Sequence, residues 1–116
     1  KDGIHLSADF SVCIEPQGDE YRVGRPHVIK HGGVYRMFFG AGTPDVRYRL
    51  AYAESQDGIN WIRKDDAISL TGPAQPWESE MQAYPSTVMY KDKVYLLYNG
   101  NNYGEDGFGY AELERW

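Results

Sequence analysis

One cysteine, Cys13, is all that this 116-residue chain contains, so no internal disulfide framework holds it together and the fold must rest on packing alone. Apolar runs are short. None approaches the ~20 residues of a membrane span or the apolar stretch of a secretory leader. Lys and Arg number 12 against 17 Asp and Glu, and no basic run or stripe exists, which argues against a nucleic-acid backbone or an anionic membrane surface as partner. On net charge alone, a neutral or cationic small ligand is easier to accommodate. Metal-binding patterns are missing too. His27 and His31 stand four apart, a spacing that serves on a helix, yet His31 adjoins the Gly32-Gly33 turn. Gly104, Gly107 and Gly109 lack the strand-to-helix junction of a phosphate loop. No metal and no cofactor is expected, and the chain reads as a cytoplasmic protein. Cys13, between Val12 and Ile14, is expected as a buried or half-buried strand residue.

Amphipathic helical periodicity is also absent, and what stands in its place is alternation. Tyr84 to Asn101 reads YPSTVMYKDKVYLLYNGN, two half-buried strands around a polar turn. The chain has written this hairpin once before. Arg25 to Gly40 reads RPHVIKHGGVYRMFFG, and matching by eye pairs Pro26 with Pro85, Val34-Tyr35 with Val94-Tyr95 and Gly40 with Gly100. Each hairpin leads through a polar loop into a third strand, Tyr48–Glu54 or Phe108–Leu113. Tyr52-Ala53-Glu54 there matches Tyr110-Ala111-Glu112. Asp57-Gly58-Ile59 repeats Asp2-Gly3-Ile4, and each turn precedes an extended segment: His5–Glu15 after the first, Trp61–Arg63 with Ala67–Leu70 after the second. Pro26 and Pro85 stand 59 residues apart, and a unit of that length with about four strands predicts propeller blades. The plainer alternative is a β-sandwich whose hairpins are alike by chance.

The fold expected is therefore all-β: a β-propeller with two four-stranded antiparallel blades per chain, the outer strand of one supplied by the N-terminus. Residues 1–116 form a single domain, with 1–24 as outer strand and linker, 25–70 as the first blade and 84–116 as the second. Tyr35, Phe38, Val94, Leu97 and Tyr98 are expected to supply much of the apolar burial, and Trp61 to sit in the core.

The segments RPHVIKHGGVYRMFFGAG, YRLAYAESQDGINWIRKD and WESEMQAYPSTVMYKDKVYLLYNGNNYGEDGFGYAELE resemble five-bladed β-propeller glycosidases of the arabinanase, β-xylosidase and invertase type and their uncharacterised glycosidase-related relatives. The resemblance covers nearly the whole chain. It implies a carbohydrate ligand and, in an active enzyme, carboxylates at the inner strand ends: one protonates the leaving oxygen while another activates water or attacks the anomeric carbon, about 5 to 9.5 Å away. The acid that the family carries beside the strand-opening Pro is missing, because Arg25 and Tyr84 stand there. The nearest acids are Asp19 and Glu20 before the first hairpin and Glu78 and Glu80 before the second. Glu80 is the candidate general acid, with Asp19, Glu20 or Asp106 as its partner; its plain alternative is a hydrated linker carboxylate.

Strand geometry places the approach to each Pro at the same end of its sheet as the loop after the second strand. Arg25, Arg47, Gln82, Asn99, Asn101 and Asn102 gather there, with Tyr84 and Tyr103 as stacking surfaces. Guanidinium, amide and carboxylate groups pair with hydroxyls and aromatic faces cover sugar C–H surfaces, so this mixture fits a carbohydrate site. The asparagines could equally be turn formers. A glycoside-cleaving enzyme and a non-catalytic sugar-binding propeller both remain open. So do two assemblies: a homo-oligomeric ring of two or three subunits, in which one copy's Trp116 meets the next copy's Lys1, or a piece of a longer five-bladed protein.

Overall fold

The computed structural model describes residues 11–70 and 74–116. Among the described residues seven strands form two antiparallel sheets. The first holds β1 (Arg22–His31), β2 (Val34–Gly42), β3 (Arg49–Ser55) and β4 (Ile62–Arg63) in that order; the second holds β5 (Ala83–Tyr90), β6 (Lys93–Asn99) and β7 (Phe108–Glu112). Neither sheet closes on itself. Among the described residues the only helical pieces are single turns at Asp65–Ala67, Pro76–Glu78 and Asn101–Gly104, and no helix is long and apolar enough to cross a membrane.

Both hairpins turn on two left-handed residues, Gly32 and Gly33 in one and Lys91 and Asp92 in the other, the geometry that matches the twist of the flanking strands. The register corrects the match made by eye. His27 pairs with Phe38 and Ser86 with Leu97, while Gly24 pairs with Gly40 and Ala83 with Asn99. The structural equivalents are thus Phe38 with Leu97 and Gly40 with Asn99. Val34-Tyr35 lies one position out of step with Val94-Tyr95. A shift of one residue exchanges the faces of a strand, so this decides what is buried.

Phe38 and Tyr52 cluster with Leu96 of the second sheet, with Ile29, Leu50 and Ile68 packed around them, and His27 Nε2 meets Thr87 Oγ1 at 2.8 Å across the same junction. Burial of this face is the main force joining the sheets. The opposite face of the first sheet, Met37, Phe39, Ala41, Ala51 and Ala53, is covered by Ile14, Val23 and Trp61. Leu97 faces the other way from Leu96 and is only half-buried, as is Tyr35, whereas Phe38, Val94 and Tyr98 are buried as expected.

Several boundaries move. Strand β1 starts three residues before Arg25, so Pro26 lies within the strand and not at its opening. The fourth strand is only Ile62–Arg63, because Asp65–Ala67 turns as a 3-10 helix and Asp65 Oδ1 accepts from Tyr52 N at 3.0 Å. No strand forms over residues 11–15, and Cys13 is exposed; the first Asp-Gly-Ile turn and the remainder of the expected outer strand lie outside the described residues. The second Asp-Gly-Ile turn is well defined. Asp57 Oδ1 accepts from Ile59 N and Asn60 N, both at 2.8 Å, and these bonds, with one from the Asn60 amide, hold the carboxyl well below the usual range.

Candidate functional site

Two bulges build the site. In β1, Arg25 and Pro26 stand opposite the single residue Phe39, and in β5, Tyr84 and Pro85 stand opposite Tyr98. A proline has no N–H to give to the ladder, so a bulge is where a strand tolerates it. The residue before each proline takes a left-handed backbone, φ 54° at Arg25 and 57° at Tyr84, a conformation that costs about 1–2 kcal/mol for a side-chain-bearing residue. These two strained residues occupy the same place in the two repeats, and they meet: the Arg25 guanidinium lies 4.6 Å above the Tyr84 ring.

The contact continues as a strip. Tyr84 stacks on Tyr103, centroids 5.6 Å apart, and Tyr103 meets the edge of Tyr48 at 6.2 Å. The Arg22 guanidinium then lies 4.5 Å from the Tyr48 ring and 4.5 Å from the Tyr21 ring. Tyr103 reaches this place because Asn102 and Tyr103 are both left-handed and Gly104 follows with φ 98°. Tyr48 reaches it because Gly40 leaves room: a Cβ there would stand 2.8 Å from the Tyr48 ring. Arg47 Nη1 donates to Asn102 Oδ1 at 3.3 Å, and Arg49 Nη2 to Ser79 O at 3.0 Å. Arg22 Nε is buried without a hydrogen-bond partner.

Asn101 locks the floor. It is buried, its Oδ1 accepts from Glu80 N at 2.9 Å and Met81 N at 3.0 Å, and its Nδ2 donates to Pro76 O at 2.8 Å. These three bonds join the segment before β5 to the end of β6. Glu78 is buried alongside, with Tyr98 Oη donating to its Oε2 at 2.6 Å and Gln82 Nε2 at 3.0 Å. Burial, and then the bond to Glu78, push the Tyr98 phenol far above its ordinary value.

The other candidate residues fall in different places. Asn99 is half-buried and donates from Nδ2 to Tyr103 O at 2.8 Å, steadying the loop that carries that ring. Glu80 and Asp106 are exposed, and neither carboxylate has a partner among the described residues. Asp19 is exposed in the turn between Gln17 and Glu20. Glu20 is gripped by Arg63 through both oxygens, each at 2.7 Å, which holds its carboxyl below the usual range despite its burial. Tyr21, Arg22, Tyr48 and Arg49 escaped the sequence reading. The available signal was a guanidinium–tyrosine alternation, Tyr21-Arg22 and Arg47-Tyr48-Arg49, on segments that pair with the glycine-bearing end of β2.

A second concavity of about 320 Å³ lies between the sheets, lined by Phe38, Tyr52, Leu96 and Trp116. Arg36 Nη1 there donates to Glu54 at 2.6 Å and to the Tyr52 hydroxyl at 2.8 Å, while Arg36 Nε is buried without an acceptor among the described residues. Tyr52 is pushed up to about 12, mainly by burial.

No protein-family model matches the chain. It is 37% identical over 117 residues to the uncharacterized proteins Rv1502 and MT1551 from two strains of Mycobacterium tuberculosis, an alignment that takes in 98% of this chain and 38% of each relative. The chain thus spans about two fifths of the length of these relatives. Among solved structures it is similar to one described as a glycoside hydrolase, with TM-score 0.63 and 22% identity over 81% of this chain and 28% of that one. It is also similar to one described as a BT0996 RGII complex, with TM-score 0.55 and 23% identity over 78% of this chain and 26% of that one. These likenesses are of fold.

Proposed function

We propose that the arginine–tyrosine strip is a carbohydrate-binding site on two neighbouring blades of a β-propeller. The observation that carries the proposal is the unbroken run of rings from Tyr48 through Tyr103 to Tyr84, flanked by guanidiniums, at the end of the sheets where both bulges open. Aromatic faces suit the C–H surface of a sugar and guanidinium edges suit its hydroxyls. Similarity to a structure described as a glycoside hydrolase supports the same reading. Glycan-array binding by the purified chain tests it, with binding lost in Tyr103→Ala as the supporting outcome and no glycan bound by wild type as the contrary one.

Blade geometry supports the propeller. The Phe38–Tyr52 face packs on Leu96, and Leu96 is the register equivalent of Met37 on the other face of the first sheet, so the sheets stack head to tail and not back to back. Head-to-tail stacking leaves an open end. Tyr110, equivalent to Tyr52, is 68% exposed where Tyr52 is 5% exposed. The relatives are about 300 residues long, room for about three more units of the same spacing, so further units of a longer chain fill that end more readily than copies of this one. Trp116 stacks on His31 of its own chain at 4.9 Å, away from the role that a ring of subunits would give it. Light scattering on the isolated chain separates the two: the ring of copies requires a dimer or trimer, the longer chain does not.

Glycoside hydrolysis is the second reading, favoured by Glu80. Its backbone is clamped by Asn101 while its carboxylate has no partner among the described residues, the arrangement expected of a positioned acid. Because Glu20 is committed to Arg63, the partner in this reading is Asp106 or Asp19. Turnover of aryl-glycosides that disappears in Glu80→Gln supports hydrolysis; binding without turnover leaves the site as a lectin.

A further inference from the structure

We infer that the ligand of this site is an acidic oligosaccharide, one whose sugars carry carboxylates; the inference rests on the carbohydrate reading above. Net charge pointed the other way. The whole chain is acidic by five charges, yet the strip gathers Arg22, Arg25, Arg47 and Arg49, and no carboxylate among the described residues pairs with any of them. Elsewhere four cations are neutralised, Arg36 and Lys64 by Glu54, Arg63 by Glu20 and Asp65, Lys93 by Glu112, while Lys30, Lys91 and Arg115 stand apart without an ion pair among the described residues. Of the carboxylates closest in sequence to the strip, Glu20 is held by Arg63, and Asp19, Asp45 and Glu105 are exposed and form no ion pair with it.

The way these arginines are held matters as much as their number. Arg22 and Arg25 lie over tyrosine rings, and neither guanidinium is paired with a carboxylate among the described residues. A stacked guanidinium is oriented in advance, so less freedom is lost when it grips a planar, bidentate acceptor such as a carboxylate. Arg22 contributes only one bond, to Arg47 O at 3.3 Å, and its Nε finds no acceptor at all. Arg22 and Arg25 stand at opposite ends of the ring run, so the site suits an extended ligand with acidic groups on separate sugars, its neutral portion lying over the exposed Tyr103 between them.

Calorimetric titration with a trimer of galacturonic acid, and with the same trimer as its methyl ester, isolates the charge from the sugar. The inference expects the acid to bind, the ester to bind about tenfold more weakly or worse, and the acid's affinity to fall with salt. Arg25→Gln and Arg47→Gln, both at exposed positions, should each weaken the acid several-fold while the chain stays folded, its thermal midpoint falling by no more than a few degrees. Equal affinity for acid and ester overturns the acidic-ligand inference and leaves the carbohydrate reading standing. So does a glycan array on which only neutral sugars bind. Absence of any bound sugar overturns both. Displacement of the acid by an equal concentration of inorganic phosphate, or tighter binding of a single-stranded oligonucleotide, overturns the inference by pointing to a different anion.

Discussion

Arg25 and Tyr84 are the same residue of the repeat, written twice, and the guanidinium of one covers the ring of the other at 4.6 Å. Each is left-handed before a proline, a conformation that glycine accepts without cost. Two opposing terms therefore act at position 25. Arg25→Ala keeps the strain and loses the cation–π contact, and should destabilise by about 0.5–1 kcal/mol. Arg25→Gly loses the same contact but relieves the strain, and should be more stable than the alanine variant by about 1 kcal/mol. Urea midpoints of the two variants decide the order, and an alanine variant as stable as the glycine one contradicts the strained geometry.

Close packing at the end of β6 predicts a sharper effect. A Cβ on Gly100 would stand 2.1 Å from Trp77 O, whereas a Cβ on Gly24 meets nothing within 4 Å. Gly100→Ala must displace the segment that carries Trp77, which itself stacks on Tyr98 at 5.5 Å. Overpacking of this kind costs roughly 1–3 kcal/mol. Thermal denaturation should show Gly100→Ala clearly destabilised and Gly24→Ala close to wild type.

Leu96 and Leu97 are neighbours in sequence and opposites in the sheet. Leu96 is buried against Phe38 and Tyr52, while Leu97 lies half-buried on the face that carries Tyr110. Leu96→Ala should cost roughly 2–4 kcal/mol and Leu97→Ala about 1 kcal/mol in this chain. In a longer protein whose next sheet covers the Tyr110 face, Leu97→Ala should cost as much as Leu96→Ala. Denaturant midpoints measured in both contexts check the pair.

Acid should weaken the fold through Glu20 and Glu54. Arg63 lowers the folded-state value of Glu20, and Lys64, followed by Tyr52 and Arg36, lowers that of Glu54, both from an ordinary 4.5. A depressed folded-state value contributes stability that is complete above 4.5 and is lost as pH falls through the folded value. The urea midpoint should therefore drop between about pH 5 and about pH 3. Glu20→Gln should start lower at neutral pH, by about 1–3 kcal/mol, and fall less steeply. Parallel pH profiles for the two proteins would show that the pair with Arg63 contributes nothing.

Much of the fold was legible in the sequence because alternation and turn chemistry act locally. Both hairpins, the third strands and the second Asp-Gly-Ile turn follow from runs such as Val34–Gly42 and Lys93–Asn99 and from Asp57's short-range bonds. Register was not legible. Val34-Tyr35 and Val94-Tyr95 look equivalent, but both turns hold two residues, and strand pairing places Tyr35 level with Val94. The site was read in part for a related reason. Arg25 and Tyr84 stand in the bulges and Arg47, Asn102 and Tyr103 in the loops after the second strands, which antiparallel pairing puts at the same end of each sheet, and the strip brings them together. Tyr48 and Arg22 belong to it only through the close approach that Gly40 and Gly42 permit, which no local pattern announces. Glu20 and Asn101 looked like ligand contacts and turn out to be engaged by Arg63 and by the segment before β5, long-range bonds that depend on the finished fold.

Backbone NMR of the protein titrated with the acidic trimer tests the central claim most directly. The account predicts shifts concentrated at Arg22, Arg25, Arg47, Tyr48, Tyr84 and Tyr103, with the cleft between the sheets, at Arg36 and Trp116, unmoved. Shifts centred on that cleft, with the strip silent, would contradict it.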